Sequence, residues 1–116
     1  MKIVNFAEKN SELNRFVAEI RDIHIQQDRL RFRKNLERIG EVMSYEISKD
    51  FRYSEKLVTT PLGTARVNTA DDKIVIGTIL RAGIPYHQGF LNYFDQAENA
   101  FFSAYRIYKD KLNIEI

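Results

Sequence analysis

The 116 residues carry 18 basic and 16 acidic side chains for a net charge of +2, with 44% of positions hydrophobic and 29% charged. That is an ordinary globular mixture for one domain or part of one; it excludes collagen, coiled coil and wholesale disorder, and it exerts no global pull toward nucleic acid, so any anion site must be local. No apolar run nears the roughly 20 residues of a membrane helix, Met1 to Glu8 shows no secretory h-region, and the lack of cysteine excludes a disulfide frame and thiolate metal sites, all of which fits a cytoplasmic protein.

The first periodic segment predicts a helix over 11–22. Leu13, Phe16, Val17 and Ile20 fall on one stripe, and Asn10 or Ser11 can cap it. A second helix is predicted over 28–48, with Phe32, Leu36, Ile39, Met43 and Ile47 on one face. Gly40 lies inside it at a cost in helix propensity, which marks close packing against another element. Arg29, Arg31, Arg33, Lys34 and Arg38 crowd its first half; a solvated, partly paired helix face accounts for them, and an anion contact or interface rim is the rival. Leu57–Thr60 and Thr64–Val67 flank Pro61-Leu62-Gly63 and read as a β-hairpin. Asp71-Asp72 makes a polar break.

A core strand is predicted over 73–80, ending in Arg81-Ala82-Gly83. A helix begins just after Gly83, with Pro85 in its first turn and Tyr86, Phe90 and Phe94 on one face. Asp95 to Asn99 forms a turn into a second strand over 100–105, which ends in Arg106. Strand, helix, strand in this order gives a right-handed βαβ unit with parallel strands. Both strand ends then lie on the edge where open α/β sheets bind ligands. Two guanidiniums there make an anion site, with phosphate the best match to their planar forks. Leu112, Ile114 and Ile116 alternate with polar residues up to the last position. Two parallel strands are too few to cover their own faces, so the chain reads as the front of a larger α/β domain.

Ile79-Leu80-Arg81-Ala82-Gly83 at a strand end closely resembles the motif of uracil phosphoribosyltransferase, a type I phosphoribosyltransferase family. Arg31-Phe32-Arg33, Ser44-Tyr45-Glu46, Thr60-Pro61-Leu62-Gly63 and Tyr105-Arg106 resemble further family motifs in the family's order. The resemblance implies the N-terminal part of that fold: N-terminal helices over 1–50, a hairpin over 51–70, a βαβ core over 71–108 and the start of an extended arm over 109–116. It implies that the full-length protein makes uridine monophosphate and pyrophosphate from uracil and phosphoribosyl pyrophosphate, with Mg2+, in pyrimidine salvage. Arg81 and Arg106 would contact phosphoribosyl pyrophosphate, and Ala82 and Gly83 would form the pyrophosphate loop. No catalytic or metal-ligating residue is identified. The ribose-phosphate loop and the uracil-reading segment are expected after residue 116, so the 116 residues alone are expected to be inactive. Gln88 stands where the family usually has Asp.

His24 and His87 lack the carboxylate–histidine spacing of a metal site, and Asp71-Asp72 is explained by its turn. Tyr45 and Glu46 read as structural. Phe101, Phe102, Tyr105 and Tyr108 read as strand core or interface. Uncovered apolar faces predict a homo-oligomer. The alternative function is a regulatory or RNA-binding module of the same fold without catalysis, resting on Arg29 to Arg38 alone.

Overall fold

A computed structural model describes residues 1–108 and 114–115. Its helices are α1 (Leu13–Arg21), α2 (Arg29–Ser48) and α3 (Ile84–Tyr93). Its strands are β1 (Tyr53–Thr60), β2 (Gly63–Ala70), β3 (Val75–Leu80), β4 (Glu98–Ser103), β5 (Ile107–Tyr108) and β6 (Ile114–Glu115). The architecture is α/β, as predicted: a helical layer, an antiparallel hairpin and a parallel strand pair joined by a helix.

Local chemistry sets the helix ends. Asp28 caps α2 by accepting from the Arg31 N–H, and Ser11 Oγ accepts from the Leu13 N–H at the start of α1; both satisfy donors that a first helical turn leaves free. The hairpin turns at Pro61-Leu62, where Thr60 Oγ1 accepts from the Leu62 N–H and donates to the Gly63 carbonyl. Gly63 has φ +129°, open to glycine and strained for other residues.

The two long helices meet at glycines. A Cβ on Gly40 would lie 2.5 Å from the Tyr86 carbonyl oxygen, and one on Gly89 would overlap the Glu37 carbonyl and sit 2.9 Å from the Gly40 Cα. Gly40 therefore does mark a close approach, and its partner is Gly89. The buried arc of α2 is centred on the predicted apolar stripe and is wider than it: Ile39 lies on the stripe, Phe32, Leu36 and Met43 are half-buried, and the small or polar Asn35, Gly40 and Ser44 flank them. Asn35, Ile39, Gly40 and Ser44 are the buried positions, whereas Ile47 is exposed. The fully buried polar groups have partners: Ser44 Oγ donates to the Gly40 carbonyl, and Asn35 Nδ2 donates to Glu19 Oε2.

The parallel pair runs in register from Val75↔Glu98 to Leu80↔Ser103. The second core strand therefore lies two residues earlier than predicted, and the turn before it ends at Ala97. The Glu98 N–H donates to the Ile74 carbonyl, which fixes this register. Because β3 leaves the sheet after Leu80 to start α3, it offers no partner beyond Ser103, so β4 ends there. The first core strand likewise starts at Val75 instead of Lys73. Phe94 falls just past α3 and stacks on Phe51 at 5.5 Å, while Tyr86 and Phe90 pack edge to face at 5.0 Å. Ile107–Tyr108 pairs antiparallel with Ile114–Glu115; the alternation expected at Leu112 and Ile116 lies outside the described residues.

Candidate active site

The loop Arg81-Ala82-Gly83 joins the C-terminal end of β3 to the N-terminal end of α3, with Gly83 as the N-cap and Pro85 in the first turn. The Gly83 N–H donates to the Ile79 carbonyl and the Ile84 N–H to the Arg81 carbonyl, so the chain turns tightly over the strand end. The Leu80–Arg81 peptide is cis. A Cβ on Gly83 would come within 2.9 Å of the Ile79 carbonyl oxygen; only a residue without a side chain fits. The Ala82 N–H has no backbone acceptor among the described residues. The start of a ten-residue helix adds its positive dipole end. Small residues, the Ala82 N–H and an exposed guanidinium thus meet at one strand end and helix start, a combination chemically suited to an anion.

Arg106 lies beyond the same edge of the sheet, as expected, but three residues after β4 ends instead of directly at its end. It is exposed, and so is Arg81. The shift follows from the register of β4.

A hydrogen-bonded tie not visible in the sequence links the two arms of the site. His87 is buried in α3, and its Nε2 lies 2.6 Å from Asn99 Oδ1 on β4. An amide oxygen only accepts, so the imidazole donates from Nε2. Its Nδ1 is buried with no partner among the described residues. The ring also packs on Phe101 at 5.1 Å. His87 is thus a fixture between helix and strand. The one available signal was its place one turn after Gly83, on a face set by the strand it must meet. The described residues contain no group of three or more His, Cys, Asp or Glu side chains able to hold a metal, and Asp72 accepts instead from the Arg52 N–H. Gln88, at the position where an Asp was expected, donates to Asn92 Oδ1 at 2.8 Å. Asn92 Nδ2 in turn donates to Glu37 and Glu41 on α2. An Asp at 88 would add a third carboxylate to that group.

The basic stretch of α2 is largely engaged. Arg31 pairs with Glu19 at 3.0 Å and Lys34 with Glu37 at 3.7 Å, and Arg38 lies over the Phe16 ring and donates to Asn35. The hydrogen bonds from Asn35 and Arg31 hold the Glu19 carboxyl below its ordinary range. Burial pushes the Tyr86 phenol up, so it stays protonated against α2.

A model of the uracil phosphoribosyltransferase family matches residues 7–114. The chain belongs to the uracil phosphoribosyltransferase family. It is 60% identical, over its whole length, to the uracil phosphoribosyltransferase of Porphyromonas gingivalis, of which it covers 54%. It is 38% identical over 95 residues to the uracil phosphoribosyltransferase of Methanococcus vannielii, covering 80% of this chain and 41% of that one. Among solved structures, the AQ2163 protein from Aquifex aeolicus superposes with a TM-score of 0.68 at 31% identity, over 80% of this chain and 44% of its own. The chain thus spans about half the length of the curated relatives it matches, and the Arg81-Ala82-Gly83 loop lies within the part that matches the family.

Proposed function

We propose that this chain supplies the pyrophosphate side of an active site that makes uridine monophosphate and pyrophosphate from uracil and phosphoribosyl pyrophosphate. The observation that carries the reading is the Arg81-Ala82-Gly83 loop, folded between a parallel strand end and a helix start in a member of this family. In the reaction the bond from ribose C1 to a pyrophosphate oxygen breaks while one to a uracil nitrogen forms, and that nitrogen gives up its proton to the released pyrophosphate or to solvent. Negative charge gathers on the leaving pyrophosphate. Preorganised positive charge at Arg81 and Arg106, with the Ala82 N–H, stabilises that charge where it develops. Mg2+ would arrive on the pyrophosphate oxygens of the substrate. The reaction belongs to pyrimidine salvage, and a cytoplasmic setting fits it. The ribose-phosphate and uracil contacts are assigned to parts of the family's fold outside these 116 residues.

Calorimetric titration of the 116-residue chain with Mg2+-pyrophosphate and Mg2+-phosphoribosyl pyrophosphate tests the reading. Hydrogen bonds to charged groups contribute about 1.5–3 kcal/mol, so Arg81→Ala should weaken both ligands by about 10- to 100-fold. The chain by itself should form no uridine monophosphate. Unchanged affinity in Arg81→Ala, or robust turnover by a purified species of 13.7 kDa, would overturn the proposal.

A further inference from the structure

The seat of α3 on the sheet is uneven. Its backbone lies close to α2 and to β3. Among the described residues, the polar and aromatic contacts that bridge α3 and β4 are both made by His87: Nε2 lies 2.6 Å from Asn99 Oδ1, and the ring packs on Phe101 at 5.1 Å. Packing does not fill the rest. An open cleft of about 450 Å3, lined by Leu80, Ile84, Leu91 and Phe101 together with the His87–Asn99 pair, lies between the two elements. Where packing is this thin, one hydrogen bond has a large share in fixing how the elements sit.

His87 also reaches the loop. Its backbone N–H donates to the Gly83 carbonyl at 2.9 Å, closing the first turn of α3 directly after Arg81-Ala82-Gly83. One residue is thus bonded through its backbone to the loop and through its side chain to β4. The sheet register sets Leu80 beside Ser103, so Arg81 stands one residue beyond that pair and Arg106 three residues beyond it. Arg81 lies where β3 passes into the loop that α3 holds, whereas Arg106 follows β4. The offset between the two cations therefore depends on how α3 is seated against β4.

We propose that His87, through Asn99, is a positioning residue that sets the preference of this site for a diphosphate over a monophosphate; the inference rests on the function proposed above and deepens it. With the tie in place, Arg81 and Arg106 keep an offset that a diphosphate spans, and the second contact forms at the high effective concentration of an intramolecular step. With the tie cut, α3 and its loop are free to shift along the open cleft. Each cation then binds on its own, and the diphosphate loses its advantage. A monophosphate engages one cation at a time in either case.

Calorimetric titration of the 116-residue chain with Mg2+-pyrophosphate and, separately, with orthophosphate reads the preference as a ratio of affinities. Asn99 is exposed, so Asn99→Ala cuts the tie without opening the core, and unchanged circular dichroism verifies the fold. This variant should bind pyrophosphate about tenfold more weakly, the factor that one hydrogen bond can supply, and orthophosphate as the wild type does. His87→Gln keeps a side-chain N–H donor and should hold the wild-type ratio. An unchanged ratio in Asn99→Ala, a loss in His87→Gln as large as in Asn99→Ala, or equal losses of both ligands, as general loosening of the fold would give, overturns the positioning role. In those cases the functional reading stands as long as Arg81→Ala still weakens pyrophosphate. A wild-type chain that binds no pyrophosphate removes the functional reading and this inference with it.

Discussion

At the scale of single residues, Glu19 shows how a polar cluster ties two helices together. Its Oε2 accepts from Asn35 Nδ2 at 2.8 Å and from Arg31 Nη1 at 3.0 Å, and those bonds favour the ionised carboxylate, so its titration lies below the ordinary glutamate range. A carboxyl depressed in the folded state contributes stability that is present above the unfolded-state titration and is lost as pH falls through the folded one. Acid should therefore loosen α1 from α2, and Glu19→Gln should remove that share of the acid sensitivity. Thermal unfolding followed between pH 3 and pH 7 in both proteins checks this; parallel curves would show that Glu19 does not hold α1. The cluster was only half legible in the sequence. Arg31 stood out as one of five clustered cations, but its partner lies twelve residues away on another helix, and Asn35 carries no pattern that announces burial. Arg81, Ala82 and Gly83 were legible because three constraints coincide there: a strand ends, a helix begins and the residues are small. Arg106 was placed at the right edge but too near the strand, because apolar continuity through Tyr105 was read as strand.

At the scale of elements, the α2–α3 crossing fixes the helix that starts at the Arg81-Ala82-Gly83 loop. Gly40 and Gly89 face each other so closely that neither tolerates a methyl group without movement of backbone. Two effects oppose each other in a glycine-to-alanine change. Alanine favours a helix interior by about 1 kcal/mol, whereas overpacking a close contact costs about 1–3 kcal/mol and occasionally more. At Gly89 the obstacles are the Glu37 carbonyl and the Glu41 N–H of α2, neither of which can rotate away as a side chain can, so the clash wins. Gly89→Ala should destabilise the protein by about 2 kcal/mol or more, read as a lower urea midpoint; a higher midpoint would mean that the crossing is looser than described. The sequence revealed Gly40 as an anomaly inside a good helix, but a glycine in the short α3 offers no such contrast. The predicted stripe found the buried side of α2, with Ile39 in it, but not the point of closest approach on its flank. The hydrophobic stripe locates apolar residues, while the tightest contact in this fold lies where residues are small. Helix ends were read to within a residue or two because caps are local chemistry; the β4 register was not, because it depends on Ile74 across the sheet.

At the scale of the whole molecule, mass is spread unevenly. The radius of gyration is 18.8 Å, against about 13 Å expected for a compact chain of this length, and the long axis is 68 Å against 30 and 29 Å. The hairpin is the most exposed part. Nearly every residue of β1 and β2 is at least partly exposed, Leu57 and Val67 included, and the two strands pair with each other alone. A two-stranded hairpin is marginally stable by itself in water. Local stability should thus run in a steep gradient from the glycine crossing outward, since few buried contacts and exposed backbone bonds mark the segments that open first. Hydrogen exchange on the isolated chain at micromolar concentration should show amides of α2 from Ile39 to Ser44 as the slowest. Amides of the hairpin at Glu55, Leu57 and Arg66 should exchange at least a hundredfold faster. The same measurement at tenfold higher concentration separates two origins for any protection found there. Protection that rises with concentration means that copies of the chain cover the hairpin. Protection equal to that of the glycine crossing, and independent of concentration, would mean that the hairpin is stable alone and that the gradient argued from its exposure is wrong.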